Sequence, residues 1–188
     1  MSTIILVRHA HAEPRGSKDE FARNLDEEGR RQTQELRSKL RGRGLSPHLG
    51  LFSPAKRTKQ TLDLVVGDDI PKIEVPSLIY IGGGNFSIAE QIIGKVGEEA
   101  PFSQWLSQPG GYVFRQYAQM VNHAIVQATN AVPLTEHILA ATILIVGHSL
   151  TMNAVALGVL GKEHPLILGP CPGYGRGFVI TGKEVTAI

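Results

Sequence analysis

Near its amino terminus the chain reads Thr3-Ile4-Ile5-Leu6-Val7-Arg8-His9-Ala10, an apolar run that stops abruptly at an arginine and a histidine. A continuous apolar run of this length predicts a β-strand that is buried on both faces, as in parallel sheets. Open α/β sheets bind their ligands at the carboxyl ends of the strands. We therefore expect Arg8 and His9 to lie where such a fold binds its ligand.

A second stretch has the same form. Residues 142–146 read Thr-Ile-Leu-Ile-Val, and Gly147-His148-Ser149 follows directly, before a predicted helix from about residue 150 to residue 160. The carboxyl ends of neighbouring parallel strands lie on one edge of a sheet. If the two apolar strands are neighbours, His9 and His148 meet at that edge.

Strands and helices alternate along the rest of the chain. A strand is predicted over residues 48–52. Ser53-Pro54 then favours a helix start, with serine as N-cap, proline at the first helical position and Arg57 in the first turn. Asp26 is predicted to cap an earlier helix to about Gly42. The remaining predictions are strands over residues 72–76, 177–181 and 185–188, an extended segment over 78–81, and helices over 87–96 and 111–131.

The predicted helix after Asp26 has an inner stripe at helical spacing. Its members are Gly29, Thr33, Leu36 and Leu40. A glycine in that stripe indicates the close approach of another backbone. The alternation of elements predicts a single-domain α/β fold over residues 1–188, with a mostly parallel central sheet flanked by helices.

Composition excludes several classes of protein. The chain has 188 residues, 42% of them hydrophobic, and a formal net charge of +2, which is too small to indicate a nucleic-acid or membrane surface. Cys171 is the single cysteine, so an intramolecular disulfide is excluded. The sequence has no signal-peptide pattern and no apolar run that could span a bilayer, and we therefore expect a cytoplasmic protein.

The predicted strand ends bring together groups that bind an anion. His9, His148, Arg8 and Arg57 would converge beside the amino terminus of a helix, whose free N–H groups also attract negative charge. A guanidinium can donate two parallel hydrogen bonds to phosphate oxygens, which a lysine cannot do. This combination predicts a phosphate site.

Four segments carry a resemblance to one family. Arg8-His9-Ala10 resembles the Arg-His-Gly signature of the histidine phosphatase superfamily, which has the phosphoglycerate-mutase-like fold. Residues 25–32 (Leu-Asp-Glu-Glu-Gly-Arg-Arg-Gln) are similar to its Leu-Thr-x-x-Gly-x-x-Gln helix start, and residues 53–61 (Ser-Pro-Ala-Lys-Arg-Thr-Lys-Gln-Thr) to its Ser-x-x-x-Arg-x-x-Gln-Thr segment. Gly147-His148-Ser149 is similar to its second histidine block. The four matches stand in the family's order.

The resemblance implies a mechanism. His9 would be the nucleophile that takes the phosphoryl group on a ring nitrogen, and water would then hydrolyse the phosphohistidine. Arg8, Arg57 and His148 would hold the phosphate oxygens and stabilise developing charge. His9 must be neutral to attack, whereas His148 helps more when it is protonated. No metal and no cofactor are expected.

Four features depart from or extend the family pattern. Ala10 replaces the signature glycine, and Arg15 stands where many members carry an asparagine that touches phosphate, so it would add a third arginine. Ser149 is a further candidate for substrate binding. Many members have a glutamate just after the third strand as a proton donor, but residues 78–83 read Leu-Ile-Tyr-Ile-Gly-Gly. In this respect the chain resembles the short branch that includes bacterial phosphohistidine phosphatases.

The missing carboxylate favours one substrate class. A departing alkoxide needs a proton, whereas imidazole, with a conjugate-acid pKa near ~6.5, can leave with a proton from solvent. The sequence therefore predicts a phosphatase for protein phosphohistidine. Alternatives are a phosphatase or mutase for a small phosphate ester, and a catalytically silent phosphate-binding module. A serine hydrolase is disfavoured because Thr151 stands where the nucleophile-elbow pattern after Gly147 requires glycine.

Overall fold

A six-stranded sheet organises the described part of the computed structural model, which covers residues 2–14, 16, 19–79, 86–133 and 141–188. The strand order is β3-β2-β4-β1-β5-β6. The first four strands of this order are mutually parallel, β5 pairs antiparallel with β1, and β6 pairs antiparallel with β5. The strands are β1 (Thr3–Arg8), β2 (Leu49–Phe52), β3 (Lys72–Glu74), β4 (Thr142–Gly147), β5 (Gly177–Thr181) and β6 (Glu184–Ala187).

Register brings three strand ends together. Arg8 of β1 pairs with Gly147 of β4, and Phe52 of β2 pairs with Val146 of β4. The residues that follow these strands are His9, His148 and Ser53, and they therefore lie side by side on the same edge of the sheet. The predicted meeting of His9 and His148 is confirmed.

Helices cover both faces of the sheet, which explains the unbroken apolar sequence of β1. Side chains alternate between the faces of a strand. Ile5 and Val7 pack in a cluster with α1 and α2, whereas Leu6 packs in a larger cluster with the other long helices. The helices are α1 (Glu27–Gly42), α2 (Lys56–Val66), α3 (Phe86–Val96), α4 (Phe102–Leu106), α5 (Tyr112–Asn130), α6 (Ser149–Leu160) and α7 (Pro165–Leu168).

Helix α1 matches its prediction. The carboxylate of Asp26 caps it by accepting a hydrogen bond from Gly29 N at 2.9 Å. Its buried residues are the predicted stripe. A Cβ at Gly29 would lie 2.0 Å from the carbonyl oxygen of His11. Only glycine therefore fits where α1 meets the segment after β1.

Two local predictions are wrong. Helix α2 begins at Lys56 with Ala55 as its N-cap and no side-chain capping bond, so Ser53 is not the cap. The Ser53 hydroxyl instead contacts His148 and Thr58. Pro76–Leu78 forms a short 3-10 helix where extended chain was expected, and the rest of that segment, from residue 80, lies outside the described residues.

None of the helices in the described ranges is long and apolar enough to cross a membrane.

Candidate active site

His9 is held so that one ring nitrogen is available for chemistry. Its main-chain N–H donates to Gly147 O, which ties it to the neighbouring strand at 2.9 Å. Its Nδ1 lies 2.7 Å from Ala10 O. A carbonyl oxygen only accepts hydrogen bonds, so Nδ1 carries the proton and Nε2 carries the lone pair. The Nε of Arg57 donates to that Nε2 at 3.1 Å.

Burial keeps the His9 ring neutral. The residue is 6% exposed. Its burial, followed by the positive charges of Arg57, Arg8 and Arg23, lowers the pKa of His9 to about 3, although the hydrogen bond to Ala10 O acts in the opposite direction. A neutral imidazole with an unprotonated Nε2 is the form that can attack phosphorus.

His148 lies beside His9 and has the opposite tautomer, with the lone pair on Nδ1 and the proton on Nε2. The two ring centroids are 5.1 Å apart. Arg57 Nη2 lies 3.3 Å from Nδ1 of His148, and since a guanidinium only donates, Nδ1 carries the lone pair. The Nε2–H then donates to Ser53 Oγ at 2.8 Å. Serine at the end of β2 therefore sets the tautomer of the second histidine.

The family resemblance favours a protonated His148, whereas the surroundings of the ring favour its neutral form. Burial first, then the neighbouring His9 and Arg57, lowers the pKa of His148 well below its ordinary value. Without an anion in the site, His148 is therefore neutral near pH 7. A bound phosphoryl dianion would favour the protonated form, because an adjacent opposite charge stabilises a cation.

Arg57 is the centre of the arrangement. Its side chain is 6% exposed. It donates to His9 and His148 as described, and its Nη1 donates to the main-chain oxygen of Glu20 at 2.6 Å. Its position in the first turn of α2 agrees with the sequence prediction. An incoming oxyanion would take donors that Arg57 now directs at the two histidines.

Arg8 is held by the loop that precedes β5. Its Nη1 donates to Pro172 O at 3.0 Å, and its guanidinium lies 4.0 Å from the ring centroid of Tyr174. Glu99, which is mostly exposed, is 3.6 Å from the same Nη1. Nε of Arg8 is buried and has no hydrogen-bond partner among the described residues. A buried donor of this kind gains stability when an anion supplies the missing acceptor.

Sequence reasoning missed four residues at this site: Ser53 as a histidine partner, Glu20, Arg23 and Tyr174. Tyr174 lies 5.4 Å from His9 between ring centroids. Glu20 and Arg23 lie in the polar segment after β1 and are paired with each other at 2.6 Å. No periodicity marks such loop residues, so their folded contacts alone reveal them.

The remaining candidate residues lie outside the described residues or away from the two histidines' hydrogen bonds. Arg15 and the carboxylate-free stretch from residue 80 lie outside the described residues. Ser149 is the first residue of α6 and is partly buried, and its role stays a prediction. Burial raises the pKa of the Cys171 thiol to about 12, so the thiol stays protonated near neutral pH. Within the described residues, no three His, Cys, Asp or Glu side chains cluster as a metal site would require.

Comparisons with known proteins give a family and a fold. The family model of the histidine phosphatase superfamily (branch 1) matches residues 4–168. No curated protein matches the chain. Among solved structures, the chain is similar to a phosphoserine phosphatase from Entamoeba histolytica in complex with 3-phosphoglyceric acid. The TM-score is 0.62 at 18% identity, over 95% of this chain and 90% of that one.

Two further structures have the same fold. The protein histidine phosphatase SixA complexed with tungstate gives a TM-score of 0.61 at 18% identity, over 99% of this chain and 94% of that one. The α-ribazole phosphatase from Shigella flexneri gives 0.60 at 19% identity, over 98% and 93%. At these identities the three structures agree on the phosphoglycerate-mutase-like architecture and not on a substrate.

Proposed function

The chain belongs to the histidine phosphatase superfamily (branch 1), and we propose that it hydrolyses its substrate through a phosphohistidine on Nε2 of His9. One observation carries this proposal. The hydrogen bond from Nδ1 to Ala10 O leaves the lone pair on Nε2, the nitrogen that faces Arg57. Membership in a family of phosphatases supports hydrolase activity, and the tautomer supports His9 as its nucleophile.

The first step transfers the phosphoryl group to the enzyme. Nε2 of His9 forms a bond to phosphorus as the bond between phosphorus and the leaving group breaks, and the leaving group departs with its electron pair and gains a proton. Arg57 must turn its Nε from His9 to a phosphoryl oxygen before attack, because it now donates to the attacking lone pair. Arg8 and His148 would bind the other oxygens.

The second step restores the free histidine. Water forms a bond to phosphorus as the bond between Nε2 and phosphorus breaks, and inorganic phosphate leaves while the water loses a proton to solvent or to phosphate. No residue is consumed in the cycle. Each step needs positioned donors and a dry pocket more than covalent assistance, and the buried arginines Arg8 and Arg57 fit that need.

Protein phosphohistidine is the substrate class we propose. Its departing imidazole is a weak base that can take a proton from solvent near neutral pH. The Glu20 carboxylate lies at the site, where it forms ion pairs with Arg23 and Arg57. A small phosphate ester is the alternative substrate. The cytoplasmic location and the single domain over residues 1–188 stay predictions from the sequence.

A series of leaving groups tests the substrate class. We expect second-order rate constants to fall steeply as the leaving-group pKa rises, with a phosphohistidine protein and aryl phosphates cleaved far faster than alkyl phosphates. The His9→Ala variant, prepared in parallel, controls for contaminating phosphatases. A flat dependence, or a preferred alkyl phosphate, would instead indicate a positioned acid and a small-ester phosphatase.

The same assay tests the expected independence from metals. Chelator should leave the rate unchanged, and vanadate should inhibit. Activity that is lost in chelator and restored by magnesium would contradict the mechanism.

A further inference from the structure

Glu20 lies in a short turn that is fixed against the active-site arginine by its main chain. The turn is the 3-10 helix Glu20–Ala22, which Asp19 caps by accepting a hydrogen bond from Phe21 N at 2.9 Å. The main-chain oxygen of Glu20 accepts from Arg57 Nη1 at 2.6 Å. The position of the turn therefore does not depend on the Glu20 carboxylate alone.

One carboxylate oxygen of Glu20 lies between two buried guanidiniums. Its Oε1 is 2.6 Å from Arg23 Nη1 and 3.3 Å from Arg57 Nη2. The Arg23 and Arg57 side chains are 10% and 6% exposed, whereas the Glu20 side chain is 45% exposed. A single oxygen bridging two arginines is the contact that a phosphoryl oxygen would make at the same place.

The site concentrates positive charge for which Glu20 is a counterion. The charges of Arg8, Arg23 and Arg57 all act to lower the pKa values of His9 and His148. In the proposed mechanism a phosphoryl oxygen binds the Arg57 guanidinium, whose Nη2 Glu20 now contacts. Two anions on one guanidinium repel each other, so the carboxylate must move when the phosphoryl group binds.

We propose that Glu20 is a resident counterion of the phosphate site, and that its carboxylate and the phosphoryl group exchange on Arg57 in every turnover. The shorter contact to Arg23 keeps the displaced carboxylate nearby. It can then return to Arg57 and favour release of product phosphate. This inference rests on the proposed function, since it takes Arg57 as the phosphate-binding residue.

Binding of inorganic phosphate tests the exchange without requiring turnover. We expect Glu20→Gln to bind phosphate about 2- to 5-fold more tightly by titration calorimetry, the size typical of a half-exposed ion pair. The product-inhibition constant of phosphate and the KM for an aryl phosphate should fall by a similar factor, and kcat should not rise. Glu20→Asp, whose shorter side chain cannot span both arginines, should lie between the two.

A matched control removes a carboxylate elsewhere. Glu163 forms an exposed ion pair with Arg115 at 2.6 Å, so Glu163→Gln makes the same change in net charge. Its phosphate affinity should equal that of the unmodified protein. Thermal unfolding of each variant shows whether it folds. If one of the two Glu20 variants does not fold, the other still gives the test.

The other outcomes overturn the inference in distinguishable ways. If the unmodified protein binds phosphate and the Glu20 variants bind it no more tightly, Glu20 is not a competitor, although the proposed function stands. Unchanged phosphate affinity with kcat lost only for basic leaving groups would make Glu20 a proton donor. If no variant binds phosphate, both the inference and the proposed function fail.

Discussion

The ends of β1 and β4 differ in chemistry although they lie side by side in the sheet. Each strand is followed by a histidine; His9 is buried and His148 is partly buried, and desolvation lowers the pKa of both rings. His9 keeps its proton on Nδ1 and accepts from Arg57 at Nε2, whereas His148 keeps its lone pair on Nδ1 and donates from Nε2. The strands place the rings, and the partners of each ring decide its role.

The chain after each histidine explains the difference. After His9 it continues without helix, so the Ala10 carbonyl is free to bind the ring. After His148, helix α6 begins at once, and its first carbonyls are used by the helix itself. The His148 ring therefore finds its acceptor in Ser53, the residue that follows β2. Adjacent parallel strands can thus hold two histidines in opposite tautomers.

Removing each histidine in turn should separate the two roles most strongly. His9→Ala removes the proposed nucleophile, and we expect activity to fall by at least ~1000-fold. His148→Ala should lose only ~100-fold, since in the proposed mechanism it removes one contact to a phosphoryl oxygen and leaves the nucleophile in place. Initial rates with an aryl phosphate measure both, with circular dichroism as the folding control. Equal losses would contradict the division of roles.

Lowering the pH should reduce stability through these two histidine rings. The pKa of His9 is lowered, so below about pH 6.5 the unfolded chain binds a proton that the folded protein does not. Stability is therefore complete above about pH 6.5 and is lost as the pH falls toward the folded value. At about pH 4.5 the loss from His9 is about 3 kcal/mol, at roughly 1.4 kcal/mol per unit.

Urea unfolding at about pH 7 and pH 4.5 measures this loss. The His9→Gln variant has no such ring and should lose about 3 kcal/mol less between the two conditions than the unmodified protein. The His148→Gln variant should differ in the same direction. An equal loss in all three proteins would mean that the histidines titrate normally in the folded state.

Arg57→Lys should weaken the hydrogen bonds that join His9 and His148 through one side chain. An ammonium cannot direct separate donors at His9, His148 and an oxyanion in the way a guanidinium does. We expect activity to fall by at least ~10-fold, as roughly 1.5–3 kcal/mol is lost with a charge-assisted contact. Arg31→Lys on the exposed face of α1 is the control and should keep full activity. An active Arg57→Lys variant would make Arg57 a structural charge only.

Ser53→Ala should give the smallest change and affect only the β4 side. His148 loses the acceptor of its Nε2–H, and a single hydrogen bond of ~0.5–1.5 kcal/mol predicts a loss of about 2- to 10-fold in kcat with little change in KM. Ser107→Ala, at an exposed serine that directly follows α4, is the control. A wild-type rate in Ser53→Ala would show that the tautomer of His148 does not depend on Ser53.

Local patterns in the sequence were enough to predict the framework of the site. Apolar runs ending in histidine gave β1 and β4, and the cap at Asp26 with the stripe through Gly29 gave α1, because both are set by short-range chemistry and periodicity. Arg57 could be located because it follows a strand and lies in the first turn of a helix.

Contacts between distant loops could not be predicted in this way. Ser53-Pro54 has the pattern of a helix start, and only the neighbouring β4 shows that the hydroxyl serves His148. Glu20 and Tyr174 lie in segments without periodicity, and they reach the site because the turn at Glu20 binds Arg57 and the loop before β5 packs on Arg8. Such pairings depend on the completed fold.

Trapping the phosphorylated enzyme tests the central claim most directly. Quenching the protein during turnover into alkaline denaturant preserves phosphohistidine, and peptide mapping followed by nuclear magnetic resonance of the labelled ring identifies the residue and the nitrogen. We predict phosphate on Nε2 of His9, and no phosphoenzyme in His9→Ala. Phosphate on Nδ1 of His9 or on His148, or hydrolysis that proceeds with no phosphoenzyme, would contradict the account.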